Sequence, residues 1–154
     1  MQVPKPIKKE KKKKRKASEY TIALQNADAN FSLFIRLRAK TENNLRCVTC
    51  NNLTEFGTSN CQAGHYVSRK LHKYRFDERN VNIQCYACNI ANYGALISYA
   101  DFIKRKYGKE TLEELDNYYK DWRHGKIIAK RYNIEELKSI ELKYDNKIKE
   151  LKND

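Results

Sequence analysis

The sequence contains only two prolines and five glycines in 154 residues, which excludes a collagen-like or proline-rich chain and leaves most of the backbone free to form helices. Histidine is also scarce, at three. No run of about 18 apolar residues occurs, and no apolar signal-type stretch opens the chain. A soluble protein of the cytoplasm, with no membrane association, is therefore expected. Acidic side chains are in deficit, 19 against 32 lysines and arginines. The resulting net charge of +13 favours a polyanionic partner over an acidic small molecule. With 40% apolar and 33% charged residues, the core must be small.

What is present is a set of five cysteines. Four of them form Cys47-x2-Cys50 and Cys85-x2-Cys88, with 34 residues between the pairs. Each pair offers two sulfurs from one tight turn, which is the ligand spacing of a tetrahedral four-thiolate zinc site. A disulfide framework would leave one thiol over, so a reducing compartment fits better. Bound zinc would contribute folding free energy directly, as a domain with a small core requires. Cys61 and His65 form Cys-x3-His, so either could instead displace one of the four as a zinc ligand.

The rest of the chain arranges itself around residues 47–89. Residues 1–16 carry nine basic side chains against Glu10, a net +8 that leaves +5 for the remainder, and they read as a disordered tail able to run along phosphates. Residues 17–154 read as one domain. Ser18 starts a helix over 18–41 whose stripe of Tyr20, Leu24, Ala27, Phe31, Phe34 and Ile35 should face the zinc-centred unit. Arg36, Arg38 and Lys40 near its end could touch a phosphate, though basic residues equally suit a helix C-terminus. His65–Ser68 and Val81–Gln84 read as paired strands, and from Cys88 the pattern turns helical. Beyond a core of about 42–94, helices are expected over 95–152. One ends at Gly108, and capping boxes at Thr111–Glu114 and Asn133–Glu136 open the next two.

Four thiolates leave zinc no open position, so the chemistry must come from its surroundings. His65, Asp77, Glu78, Asn80 and Asn89 lie there, among Arg69, Lys70, Lys73, Arg75 and Arg79 as DNA-binding candidates. A neutral histidine beside a hard cation on a basic surface suits phosphodiester hydrolysis, with the imidazole taking a proton from water. Magnesium or manganese suits such an oxygen-rich site better than zinc. His72 and His124 lack this context. Tyr118, Tyr119 and Trp122 could stack on unpaired bases, but core packing is the plainer reading.

The order His, Asn, Cys-x2-Cys-Asn resembles the His-Asn-His (HNH), or ββα-metal, nucleases. Cys47-x2-Cys50, Ala63-Gly64-His65-Tyr66, Arg75-Phe76-x-Glu78-Arg79-Asn80, Gln84-Cys85-x2-Cys88-Asn89 and Gly94-x-Leu96 are together similar to the NinG/Rap recombination endonuclease family of lambdoid phages. The resemblance implies an α+β fold with a treble-clef-like ββα-metal core, an N-terminal helix and a helical C-terminal extension. It also implies cleavage of branched DNA, Holliday junctions and displacement loops included, alongside phage recombination proteins in a bacterial host. By position, His65 would be the general base, Asn80 would orient it, and Asn89 would be a catalytic cation ligand. Many relatives in the wider superfamily place an aspartate ligand before the histidine, where this chain has Gly64. Glu78, then Asp77, is the candidate to replace it. A homodimer would cut two strands by symmetry. A zinc-dependent DNA-binding protein without catalysis is the alternative, and an RNA-binding zinc protein a third.

Overall fold

The computed structural model describes residues 16–129 and 131–153, so the basic tail expected over 1–16 lies outside the described residues except for Lys16. Among the described residues, four α-helices accompany one short hairpin: α1 (Glu19–Asn43), β1 (Gln62–His65), β2 (Val81–Gln84), α2 (Leu96–Tyr107), α3 (Lys109–Arg123) and α4 (Ile134–Asn153). The fold is a helix-rich α+β arrangement with a single antiparallel sheet of two strands among the described residues.

The start of α1 is the expected one, with the Ser18 hydroxyl accepting from the Thr21 N–H at 3.2 Å. Its apolar stripe meets the zinc-centred unit as expected, but only in part. Ala23, Ala27, Phe31, Phe34 and Ile35 pack against Leu137, Tyr144 and Ile148 of α4 on one side and against Phe76 and Val81 on the other. Lys138 reaches Glu19, Asn30 reaches the Glu141 carbonyl, and Lys147 lies over the Phe34 ring, so α1 and α4 run in the same sense. The last helix thus covers the first.

A second core joins α2 and α3 to the segment after β1, through Val67, Leu71, Tyr74, Tyr99, Ile103 and Leu115. Tyr99 also reaches into the hairpin. Its hydroxyl accepts from the Asn82 N–H at 2.8 Å and donates to the Gly64 carbonyl at 2.8 Å, which ties the strand end that carries His65 to α2.

Three local expectations change. The first strand ends at His65 instead of beginning there, with Gln62 opposite Gln84 and His65 opposite Val81. The ladder stops because the Val67 N–H and C=O turn to the side chain of Asn80. After Cys88 the chain makes only a π-helical turn, Ala87–Ala91, before α2. Thr111 does not cap a helix, since α3 already begins at Lys109 and the Thr111 hydroxyl donates back to the Tyr107 carbonyl at 2.9 Å. The second box is real: the Asn133 N–H donates to Glu136 Oε2 at 2.7 Å and the Glu136 N–H to Asn133 Oδ1 at 2.8 Å.

Candidate functional site

The first cysteine pair lies on a knuckle closed by the bridge between Arg46 and Leu53. Within it the Asn51 N–H donates to the Cys47 carbonyl at 2.8 Å, with Asn51 in the left-handed region at φ 62°. The second pair begins directly after β2, where the Asn89 N–H donates to the Cys85 carbonyl at 2.9 Å. These two turns bring the Sγ atoms of Cys47, Cys50, Cys85 and Cys88 within 4.8 Å of one another. Cys50 and Cys85 are 3.8 Å apart. A tetrahedron with metal–sulfur bonds of about 2.3 Å has edges of about 3.8 Å, so the donor set could hold a metal such as zinc.

The thiols differ in proton affinity. Burial pushes Cys47 up, yet hydrogen bonds from the Thr49 hydroxyl and from nearby backbone outweigh it and bring the pKa to about 6. Burial raises Cys88 to about 12. Four sulfurs this close cannot all be anions without a cation among them. Cys61 does not join them: it is buried between Ala39 and Ile83. His65 also stays outside the cluster, so neither member of the Cys-x3-His pair takes a cysteine's place.

His65 is fixed from behind. Its Nε2 lies 3.0 Å from the Arg75 carbonyl, which only a protonated nitrogen can donate to, so Nε2 carries the hydrogen and Nδ1 keeps its lone pair. Burial, then the charges of Arg75 and Arg69, lower its pKa from 6.5 to about 4. The imidazole is neutral throughout the physiological range.

Asn80 does not touch this ring. Fully buried, it accepts from the Val67 N–H at 2.7 Å and donates to the Val67 and Tyr74 carbonyls, each at 2.9 Å. It therefore joins the segment that follows His65 to the segment that precedes Arg75, and so sets where the Arg75 carbonyl stands. It bears on the histidine's surroundings only through backbone.

His65 and Asn89 line one cleft of about 830 Å3, together with Gln62, Arg69, Arg36 and Asp116. The Asn89 amide nitrogen donates to Gln62 Oε1 at 2.7 Å, leaving Oδ1 as an oxygen donor. Glu78 is not brought there. Its carboxylate takes the Lys147 ammonium at 2.5 Å, approaches Arg38 at 3.7 Å and accepts from the Tyr144 hydroxyl at 3.2 Å. Asp77 is bound to Arg79 at 2.6 Å.

The basic residues divide as well. Arg69 lines the cleft and Lys70 is exposed. Arg75 is buried, paired bidentately with Asp28, and donates to the Arg69 carbonyl at 2.8 Å, so it holds structure and is not free for phosphate. Arg79 pairs with both Asp77 and Glu114, and the Lys73 ammonium lies 4.8 Å from the centres of the Tyr74 and Tyr118 rings. Among the described residues, no helix is long and apolar enough to cross a membrane.

The profile of the family described as Bacteriophage Lambda NinG protein matches residues 2–154. The chain belongs to the NinG family. Protein ninG of Escherichia phage 933W is 32% identical over 131 residues, covering 84% of this chain and 58% of the relative. Protein ninG of Escherichia phage lambda is 32% identical over 131 residues, covering 84% and 57%, and that of Salmonella phage P22 is 32% identical over 130 residues with the same coverage. The chain thus spans just under three fifths of the length of these NinG relatives. No solved structure matches it.

Two features of the cleft escaped the sequence reading. The carboxylate that reaches the cleft is Asp116, from α3, which accepts from the Tyr66 hydroxyl at 2.7 Å. Nothing in the spacing of residues 65 and 116 foretells that. The second is the reason for Gly64: a Cβ there would lie 2.0 Å from Gln84 Oε1, so Gln84 fills the space of any side chain at position 64. The pairing register of β1 with β2 places the two on one face, which the strand bounds would have disclosed.

Proposed function

We propose that the chain is a divalent-metal-dependent HNH-type endonuclease that cuts branched DNA, Holliday junctions and displacement loops among them, in phage recombination, with structural zinc in the cysteine cluster. The observation that carries this reading is the neutral His65 imidazole, anchored at Nε2 and lining a cleft with Asn89 and Arg69.

In that cleft Nδ1 of His65 accepts a proton from water, and the water oxygen attacks phosphorus. The Arg75 carbonyl, already receiving the Nε2 hydrogen, stabilises the imidazolium as it forms. A pKa near 4 would make a weak base. The negative charge of a bound phosphate offsets this by favouring the protonated ring. Arg36 and Arg69 hold the scissile strand, and Asn80 keeps the histidine's backbone anchor in place. Asn89 Oδ1 and the Asp116 carboxylate are hard donors that would hold magnesium or manganese, which when bound stabilises charge on the phosphate and leaving oxygen. The tetrathiolate cluster has no position for this role and serves as scaffold.

The test is incubation of the zinc-loaded protein with four-way junction, flap and duplex DNA and with RNA, in magnesium, manganese or chelator. Cation-dependent cutting confined to branched DNA supports the reading. Salt-sensitive binding without cleavage, or a preference for RNA, contradicts it.

A further inference from the structure

The cleft is lined by apolar as well as polar side chains. Ile90, Tyr93, Leu96 and Tyr119 are the large apolar and aromatic residues of that lining that are exposed, together with the half-buried Tyr66. Tyr93 is 89% exposed, although a tyrosine gains nothing from packing there. Its backbone is unusual too. Tyr93, Gly94 and Ala95 are consecutive left-handed residues with φ of 50°, 89° and 47°, a conformation that costs the two non-glycine residues about 1 kcal/mol each.

The surroundings impose this turn. The Gly94 N–H donates to the Cys88 carbonyl at 2.9 Å, the Ala95 N–H to the Asn92 carbonyl at 2.8 Å, and Gln84 Nε2 to the Gly94 carbonyl at 2.8 Å. The ring is therefore displayed from a loop anchored on the second cysteine turn. Tyr119 and Trp122, both partly exposed, lie 6.0 Å apart between ring centres on α3.

Aromatic faces and guanidinium groups lining one cleft suit an unpaired nucleobase, with the ring stacking on the base and Arg36 or Arg69 meeting its phosphate. A continuous duplex keeps its bases stacked and offers none. An apolar peptide is a poorer occupant, because His65, Gln62, Asn89 and Ser68 also line the cleft.

We propose that Tyr93 stacks on an unpaired nucleobase next to the scissile phosphate, and that this loop sets the preference for branched over continuous DNA. The proposal rests on the cleft being the DNA site.

The experiment measures binding of the full zinc-loaded chain, with no magnesium or manganese, to flap DNA carrying 2-aminopurine at the first unpaired position and to the matching duplex. The variants are Tyr93→Phe, Tyr93→Ala and Tyr93→Asn, the last because asparagine suits left-handed backbone. Expected are fluorescence quenching by the native protein and by Tyr93→Phe, and its loss in Tyr93→Ala and Tyr93→Asn. Those two should also bind the flap about ten-fold more weakly with duplex affinity unchanged. Flap affinity and quenching equal to the native values in both variants would overturn the role of Tyr93 and leave the endonuclease reading standing. So would a dimer in sedimentation that Tyr93→Ala dissolves with DNA binding intact, because the patch would then join two copies. A native protein that neither quenches nor prefers the flap would remove branched DNA as substrate, and this proposal with it.

Discussion

His65 and Arg75 meet through the imidazole Nε2 of one and the main-chain carbonyl of the other, 3.0 Å apart. The same Arg75 sends its guanidinium the opposite way, to Asp28 of α1. One residue thereby fixes the tautomer of the histidine and ties the loop that carries it to the longest helix.

The low pKa of His65, from burial and then its arginine neighbours, gives two expectations of pH dependence. In the unfolded chain the ring titrates near 6.5, so the unfolded state takes up the proton first. The stability owed to the neutral ring is complete above about 6.5 and is lost as pH falls toward 4. Denaturation midpoints across this window, compared with His65→Gln, should show the native slope and its loss in the variant. In cleavage, the acid limb of kcat/KM should fall well below 6.5 and that of kcat above it, because bound phosphate raises the pKa of the ring.

Asn80→Ala should destabilise the protein by about 2–4 kcal/mol, because three buried backbone groups lose their partner together. Chemical denaturation measures this. Under conditions where the variant is still folded, kcat should drop with little change in KM, as expected if Asn80 acts through the Arg75 carbonyl and not on DNA. A change in KM alone would mean direct contact with substrate.

Gly64→Ala places a methyl 2.0 Å from Gln84 Oε1 and should cost about 1–3 kcal/mol through overpacking. Gly64→Asp should be worse, and it should not improve cleavage even though it supplies the carboxylate that many HNH nucleases carry before their histidine. Combining Gly64→Ala with Gln84→Ala should recover part of the loss, so that the two changes are not additive in a double-mutant cycle. Additive losses would show that Gln84 is not what excludes a side chain at 64.

The basic residues separate by the same logic. Arg69→Ala should lower the slope of log affinity against log salt by about one without altering stability. Arg75→Ala should instead destabilise the fold by about 2–4 kcal/mol, because Asp28 is left without its partner. Filter binding across a salt series, paired with thermal melts, distinguishes the two.

The cysteine cluster was legible in the sequence. The four cysteines carry their own spacing, and Asn89 follows Cys88 so directly that one turn places both. Ser18 and the Asn133–Glu136 box set helix starts by local hydrogen bonds, which need no tertiary context. What the sequence could not show depended on partners distant along the chain. Glu78, chosen for nearness to Asn80, is claimed by Lys147 and Tyr144 from α4, and Arg75 by Asp28 from α1. Asp116 reaches the cleft only because α3 folds back over the segment after β1. The end of β1 was misread because the side chain of Asn80 takes over the hydrogen bonds of Val67, a substitution invisible to alternation of apolar and polar residues.

The most direct measurement is single-turnover cleavage of a four-way junction in magnesium by the zinc-loaded native protein and by His65→Ala, with junction binding and thermal stability recorded for both. The native chain should cut, and the variant should bind equally well but cut about a hundred- to ten-thousand-fold more slowly. A variant that cuts at the native rate, or a folded native protein that binds the junction and never cuts it, would contradict the role given to His65.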